Sequence, residues 1–149
     1  MGRPSAKSLR VIAELRGIQE TAASLAAGAA AARSRSAREA LLDSDRRLGE
    51  LHGGWEASRD GKAIDIEAGL RWSAAWRRAA GDNEHRRDLL LTMEKDERAS
   101  RSLWEDAMRR EDAATSEYRR AQTKEQARIE ETRLQEVSER FSRLWATRS

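Results

Sequence analysis

Residues 94–110 read EKDERASRSLWEDAMRR, and their charges are ordered as a helix orders them. Among them an acid stands four residues before a base again and again: Glu94 before Arg98, Glu97 before Arg101, Glu105 before Arg109, Asp106 before Arg110. Glu136 with Arg140 and Glu139 with Arg143 repeat the pattern nearer the end. Side chains four apart stack one turn apart on a helix, and acid-first is the favourable order, each pair contributing about 0.2–0.5 kcal/mol. Working outward, the sole proline is Pro4, and after Gly69 and Gly81 no glycine follows. The chain from Ile66 onward therefore reads as one helix of about 80 residues, on the order of 120 Å at 1.5 Å per residue. A helix of that length in water needs something to lean on.

Composition says how thin that support is. Of the 149 residues, 37% are charged and 38% hydrophobic, which suits a narrow helical seam better than a layered core. There is one Tyr and one Phe, and Val and Ile never alternate over a useful length, so no sheet is expected. The net charge of +3 raises a nucleic-acid reading. Residues 1–55 carry 9 basic and 6 acidic side chains, while residues 56–149 carry 20 of each. Acids thus sit beside bases along the long helix, and a nucleic-acid binder needs a net positive stripe. With no cysteine, disulfides and thiolate ligands are excluded. Arg10, Glu14 and Arg16 interrupt any secretory apolar core near the N-terminus, and the run Ala26–Ala32 is far shorter than the roughly 18–20 apolar residues of a membrane span. The expectation is a soluble, cytoplasmic protein without direct membrane insertion.

Read in order, residues 1–149 form a single helical hairpin: a first helix over 6–57, a turn over 58–64 and a second helix over 65–147. The first helix is capped near Ser5 or Ser8. Its apolar and small residues Val11, Leu15, Ile18, Ala22, Leu25, Ala29 and Ala32 step alternately by four and three, the spacing of a coiled-coil seam. After Ala32 the phase slips by one and resumes as Ala37, Leu41, Ser44, Leu48, Leu51 and Trp55. Gly49, Gly53 and Gly54 weaken the helix end, and Asp60-Gly61 supplies the turn chemistry. Asp65 is placed to cap the second helix, whose seam runs through Leu70, Trp72, Trp76, Ala79, Leu90, Met93, Ala99, Trp104, Ala107, Ala114, Tyr118 and Ala121, with a weak position at Asn83. The second helix outruns the first by on the order of 45 Å. Its last turns carry a fresh apolar stripe, Leu134, Val137, Phe141 and Leu144, with Trp145 beside it. The fold expected is all-α, a long antiparallel two-helix coiled-coil hairpin with an overhanging C-terminal helix.

Chemistry is sparse. His52 and His85 have no second metal ligand at helical spacing, no glycine-rich phosphate loop exists, and the acidic pairs lie beside arginines on exposed helix, where nothing would raise a carboxyl pKa. No catalytic residue, metal or cofactor is expected, and the protein reads as non-enzymatic. The tryptophans are the informative feature. Trp55, Trp72 and Trp76 flank the turn and should meet there. Either they close the hairpin tip as an aromatic core, or some stay available as partner anchors, since Trp and Arg dominate binding hot spots.

The opening LRVIAELRGIQETAASL, residues 9–25, and the later Leu103-Trp104-Glu105, Arg109-Arg110, Arg133-Leu134 and Glu139-Arg140-Phe141 resemble the FliJ/YscO family, the central stalk proteins of flagellar and virulence type III export machines. The chain departs from that family in its Ala-rich first helix, in the polar stretch Gly81–Arg87, and in having Trp55 and Trp76 where the family often has Tyr and Phe. The resemblance implies a cytoplasmic stalk, peripheral to an inner-membrane export machine and monomeric when free. Its partners would be an export ATPase hexamer, the cytoplasmic domain of the export gate and export chaperones, with no nucleic acid. It also implies two contact regions. Leu48, Leu51, Trp55, Trp72 and Trp76 would face the gate; Arg133, Leu134, Val137, Arg140, Phe141, Arg143, Leu144 and Trp145 would face the ATPase. The competing readings are a self-associating coiled-coil scaffold, in which overhangs pair between chains, and a basic helical nucleic-acid-binding protein.

Overall fold

Ser5 starts the first helix. The Ser8 N–H donates to Ser5 Oγ at 3.2 Å and the Leu9 N–H to the Ser5 carbonyl at 3.0 Å, satisfying donors that the first turn leaves free. In the computed structural model, which describes residues 2–61, 63 and 65–148, this helix, α1, spans Ala6–Arg59. It stops at Asp60-Gly61, where Gly61 adopts a left-handed φ of 68° that a side chain would strain. Of the turn expected over 58–64, positions 62 and 64 lie outside the described residues. Asp65 then caps α2, Ile66–Arg148: the Glu67 N–H donates to Asp65 Oδ1 and the Gly69 N–H to the Asp65 carbonyl, both at 3.0 Å. Glu67 faces the positive end of the helix dipole in the first turn. No strand occurs among the described residues, and the two helices pack against each other as an all-α helical hairpin.

The chain divides into two compact units, Ser24–Leu103 and Met1–Ala23 with Trp104–Ser149. In the first, α1 and α2 run antiparallel: Leu51 meets Trp72, Ser44 meets Asn83, and Arg38 reaches Glu94 at 3.5 Å. Small and polar residues hold its centre. Ala30, Ser34, Ala37, Ser44 and Asn83 are buried. Asn83 is fully employed there: its amide nitrogen donates to Ser44 Oγ (3.1 Å) and Asp45 Oδ1 (2.7 Å), and its Oδ1 accepts from Arg87 Nε (2.9 Å). Arg87 in turn pairs with Asp45 at 3.5 Å. A satisfied polar layer of this kind specifies which turn faces which. Ser34 is the exception, its buried hydroxyl having no hydrogen-bond partner.

In the second unit the helices are again antiparallel. Trp104 Nε1 donates to Glu20 Oε1 at 2.9 Å, a Cβ on Gly17 would lie 3.4 Å from Glu111, and Ala114 is buried. The start of α1, from Pro4 to Leu9, borders a groove of about 620 Å³ whose other wall is Glu117 to Arg128 of α2. From Gln122 to Arg148 every residue of α2 is exposed. The uncovered length is roughly 40 Å.

Two parts of the expected seam are corrected. Val11, Leu15, Ile18, Ala22, Leu25, Ala29 and Ala32 all face outward. The sheltered positions are instead Ala6, Leu9, Ala13, Arg16, Glu20, Ala23, Ala27, Ala30 and Ser34, which continue backward, in unbroken steps of three and four, the phase of Ala37, Leu41, Ser44, Leu48, Leu51 and Trp55. There is no slip. In the unit Met1–Ala23 with Trp104–Ser149 the sheltered side of α1 combines the small Ala6, Ala13 and Ala23 with Leu9, Arg16 and Glu20, and Glu20 accepts from the half-buried Trp104. On α2, Leu70 and Ala99 are exposed, with Gly69 and Ser100 sheltered beside them. Gly69 is a close approach: a Cβ there would lie 3.3 Å from Trp55 Cη2, so the indole would have to give by a few tenths of an ångström. The charge ladder is also partly rewired. Glu97 pairs with Arg101 at 3.5 Å, but Arg109 turns to Asp106 at 3.1 Å and Glu94 crosses to Arg38.

Candidate functional site

Two regions gather the residues that sequence reasoning singled out, one in each unit. In unit Ser24–Leu103, Asp65 and Gly69 aim the start of α2 so that Trp72 and Trp76, four residues apart, project toward the end of α1. Trp55 stacks on Trp72 with ring centroids 5.1 Å apart and planes 23° apart, and Trp72 stacks on Trp76 at 5.5 Å and 20°. His52 tilts against Trp76 at 6.2 Å, and the Arg59 guanidinium lies 5.8 Å from the centre of the Trp55 ring. The Trp72 indole N–H donates to the Leu51 carbonyl at 3.0 Å, giving its polar atom a partner inside the stack.

Leu48, Leu51, Trp55, Trp72 and Trp76 are therefore brought together, each half-buried. Both uses of the aromatics are compatible with this geometry. The rings close on one another, and those of Trp55 and Trp72 border an open groove of about 430 Å³ with Arg47, Glu50 and Ser58. The other histidine, His85, is exposed, and His52 pairs with Glu56 at 3.3 Å. Beside the buried Asn83, the Arg86 Nε hydrogen bond at 2.8 Å holds the Asp82 carboxyl below the usual carboxylate range, against a smaller opposing effect of desolvation.

In the other unit the candidate residues lie on the uncovered end of α2. Leu134, Val137, Phe141, Leu144 and Trp145 are 63–70% exposed, and Arg133, Arg140 and Arg143 are exposed around them. At 100° per residue the five apolar side chains fall within about 100° of one face, a helix surface made for apolar contact. Phe141, Leu144, Trp145 and Arg148 enclose a shallow hollow of about 290 Å³. The face is not the hairpin seam carried onward. Continuing from Ala114, Tyr118 and Ala121 in threes and fours, the seam phase reaches Glu125, Arg128, Thr132, Gln135, Glu139 and Ser142, all polar. The apolar stripe is offset from it by one to two residues, turned by roughly 150°.

Sequence reasoning missed a second apolar face in the same unit. The outward side of α1 carries Val11, Leu15 and Ile18 at 58, 51 and 67% exposure, flanked by Ile12. The signal was available in the apparent phase slip after Ala32. A slip with no glycine, proline or insertion to cause it marks two faces on one helix, not one seam that shifts.

No group of three or more potential metal ligands occurs among the described residues, and no helix described is long and apolar enough to cross a membrane. Comparison with protein-family models, curated proteins and solved structures finds no match.

Proposed function

We propose that this chain is a non-enzymatic stalk or adaptor of a type III protein export apparatus, working in the cytoplasm at the periphery of the inner membrane. The observation that carries the reading is the bare end of α2, where a 63–70% exposed apolar face, edged by Arg133, Arg140 and Arg143, has no cover from its own chain. A face of that size and composition is a protein-contact surface. The resemblance of residues 9–25 and 103–141 to the FliJ/YscO stalk proteins supplies the partner: this end enters or regulates the export ATPase hexamer. In the same reading the groove edged by Trp55 and Trp72 meets the cytoplasmic domain of the export gate, and export chaperones bind along the hairpin.

The test is stimulation of an export ATPase by the purified chain. Truncation after Arg128 removes the apolar face without touching the paired length of either unit, so stimulation is lost while helicity per residue persists. Stimulation that survives truncation overturns the assignment of this end. One observation favours a second reading, a self-associating scaffold: the outward apolar side of α1 lies in the same unit as the bare end of α2.

A further inference from the structure

We infer that two copies of the chain pair reciprocally, the bare end of α2 in each lying parallel to the outward face of α1 in the other. Three observations in the unit Met1–Ala23 with Trp104–Ser149 lead there. First, the two uncovered apolar faces share one spacing. Val11, Leu15 and Ile18 step by four and three; Val137, Phe141 and Leu144 step by four and three. Parallel helices with matched steps set each side chain beside its counterpart, so Val137 meets Val11, Phe141 meets Leu15 and Leu144 meets Ile18.

Second, direction and reach agree. Within the unit α2 runs outward past the start of α1, and Val137 lies about 24 Å beyond Ala121, where shelter ends. When two such units face each other across a two-fold axis, each protruding α2 runs in the same direction as the other copy's α1 and overlaps its first turns. The contact is self-complementary and closes at two copies.

Third, the area suffices. The exposed fractions of Val11, Ile12, Leu15 and Ile18 on one side and of Leu134 to Trp145 on the other amount to on the order of 1,000 Å² per copy, so about 2,000 Å² is available in the pair, and covering half of it meets the roughly 1,000 Å² a specific interface needs. The polar seam phase of the bare α2 end, Glu125 to Ser142, stays in water in this arrangement, as its composition requires. The pair differs from the monomer expected of the free chain, and it occupies the same α2 face that the export ATPase would take. A free chain would then hold its contact surface covered until the stalk's partner displaces the second copy.

The absence of cysteine makes the test direct. Leu15→Cys with Phe141→Cys in the full chain, oxidised under mild conditions, gives a disulfide-linked dimer. The two positions cannot join within a chain, because α1 near Gly17 lies against Glu111 and Phe141 stands roughly 45 Å further along α2. The out-of-register pair Leu15→Cys with Glu130→Cys links at least tenfold less. Sedimentation of the unsubstituted chain shows a dimer at micromolar concentration. Leu15→Glu with Ile18→Glu shows a monomer of unchanged helicity, since both side chains face outward. A monomer at about 100 µM, equal linking of the two cysteine pairs, or a dimer that survives the glutamates overturns the inference, as does protection of the α1 face by the ATPase alone. Because sedimentation needs no ATPase and the Arg128 truncation assay needs no dimer, the two proposals fail separately.

Discussion

Replacing Asn83 by alanine tests how the polar layer holds α1 and α2 in register within Ser24–Leu103. The substitution removes three hydrogen bonds: to Ser44 at 3.1 Å, to Asp45 at 2.7 Å and from Arg87 at 2.9 Å. The serine bond is buried and neutral, worth about 1 kcal/mol. The other two involve charged partners, for which about 1.5–3 kcal/mol each is usual when dry. Here the side chains of Asp45 and Arg87 are 44% and 61% exposed and keep each other as partners, so about 1.5 kcal/mol covers both. Alanine returns about 0.6 kcal/mol of helix propensity. The net loss is about 2 kcal/mol, a fall of about 30-fold in the folding equilibrium constant. Urea unfolding followed by circular dichroism at 222 nm measures it. A cycle with Ser44→Ala isolates the serine bond, with an expected coupling of about 1 kcal/mol. If Asn83→Ala leaves stability within about 0.5 kcal/mol of the parent, the layer does not hold the helices and the reasoning fails.

Ser34→Ala should stabilise the chain by about 1 kcal/mol, because it deletes a buried hydroxyl without a partner and adds helix propensity; the urea midpoint reads it. Gly53→Ala, where a Cβ meets open space, should stabilise by about 0.5–1 kcal/mol. Gly69→Ala, whose Cβ would press on Trp55, should instead gain nothing and change the tryptophan emission, and equal gains at both sites would contradict the packing described. Asp82 has a depressed folded-state pKa, so its stabilising contribution is fully present above the unfolded value and is lost as pH falls through the folded one, below the usual carboxylate range. An NMR titration of Asp82 should show this, with Arg86→Gln moving the value back up.

That the chain is helical and doubles back once is legible in the amino-acid order. Acid–base pairs four residues apart, a proline-free length and scarce strand formers exclude other classes. Ser5 and Asp65 announce the helix starts, because capping is local chemistry between neighbours in the chain. The same order also shows which residues near the turn come together: Trp55, Trp72 and Trp76 are large enough to show their side of the helix without help. Which side of the front of α1 faces in depends instead on packing against α2. Residues 9–34 carry two periodic sets, one mostly small but including Leu9, Arg16 and Glu20, the other led by Val11, Leu15, Ile18 and Leu25, and hydrophobicity alone selects the second. The choice went to Ala13, Gly17, Ala23 and Ala30, on the side that continues the phase of Leu48, Leu51 and Trp55. Trp104, Met108 and Tyr118 of α2 are half-buried and bulky, and a side of α1 with many small residues lets two backbones approach beside such bulk. That selection depends on volumes contributed by residues far away in sequence, which no periodicity on one helix records. Its consequence is functional: the apolar side of α1 that lost the contest for its own partner is left facing outward.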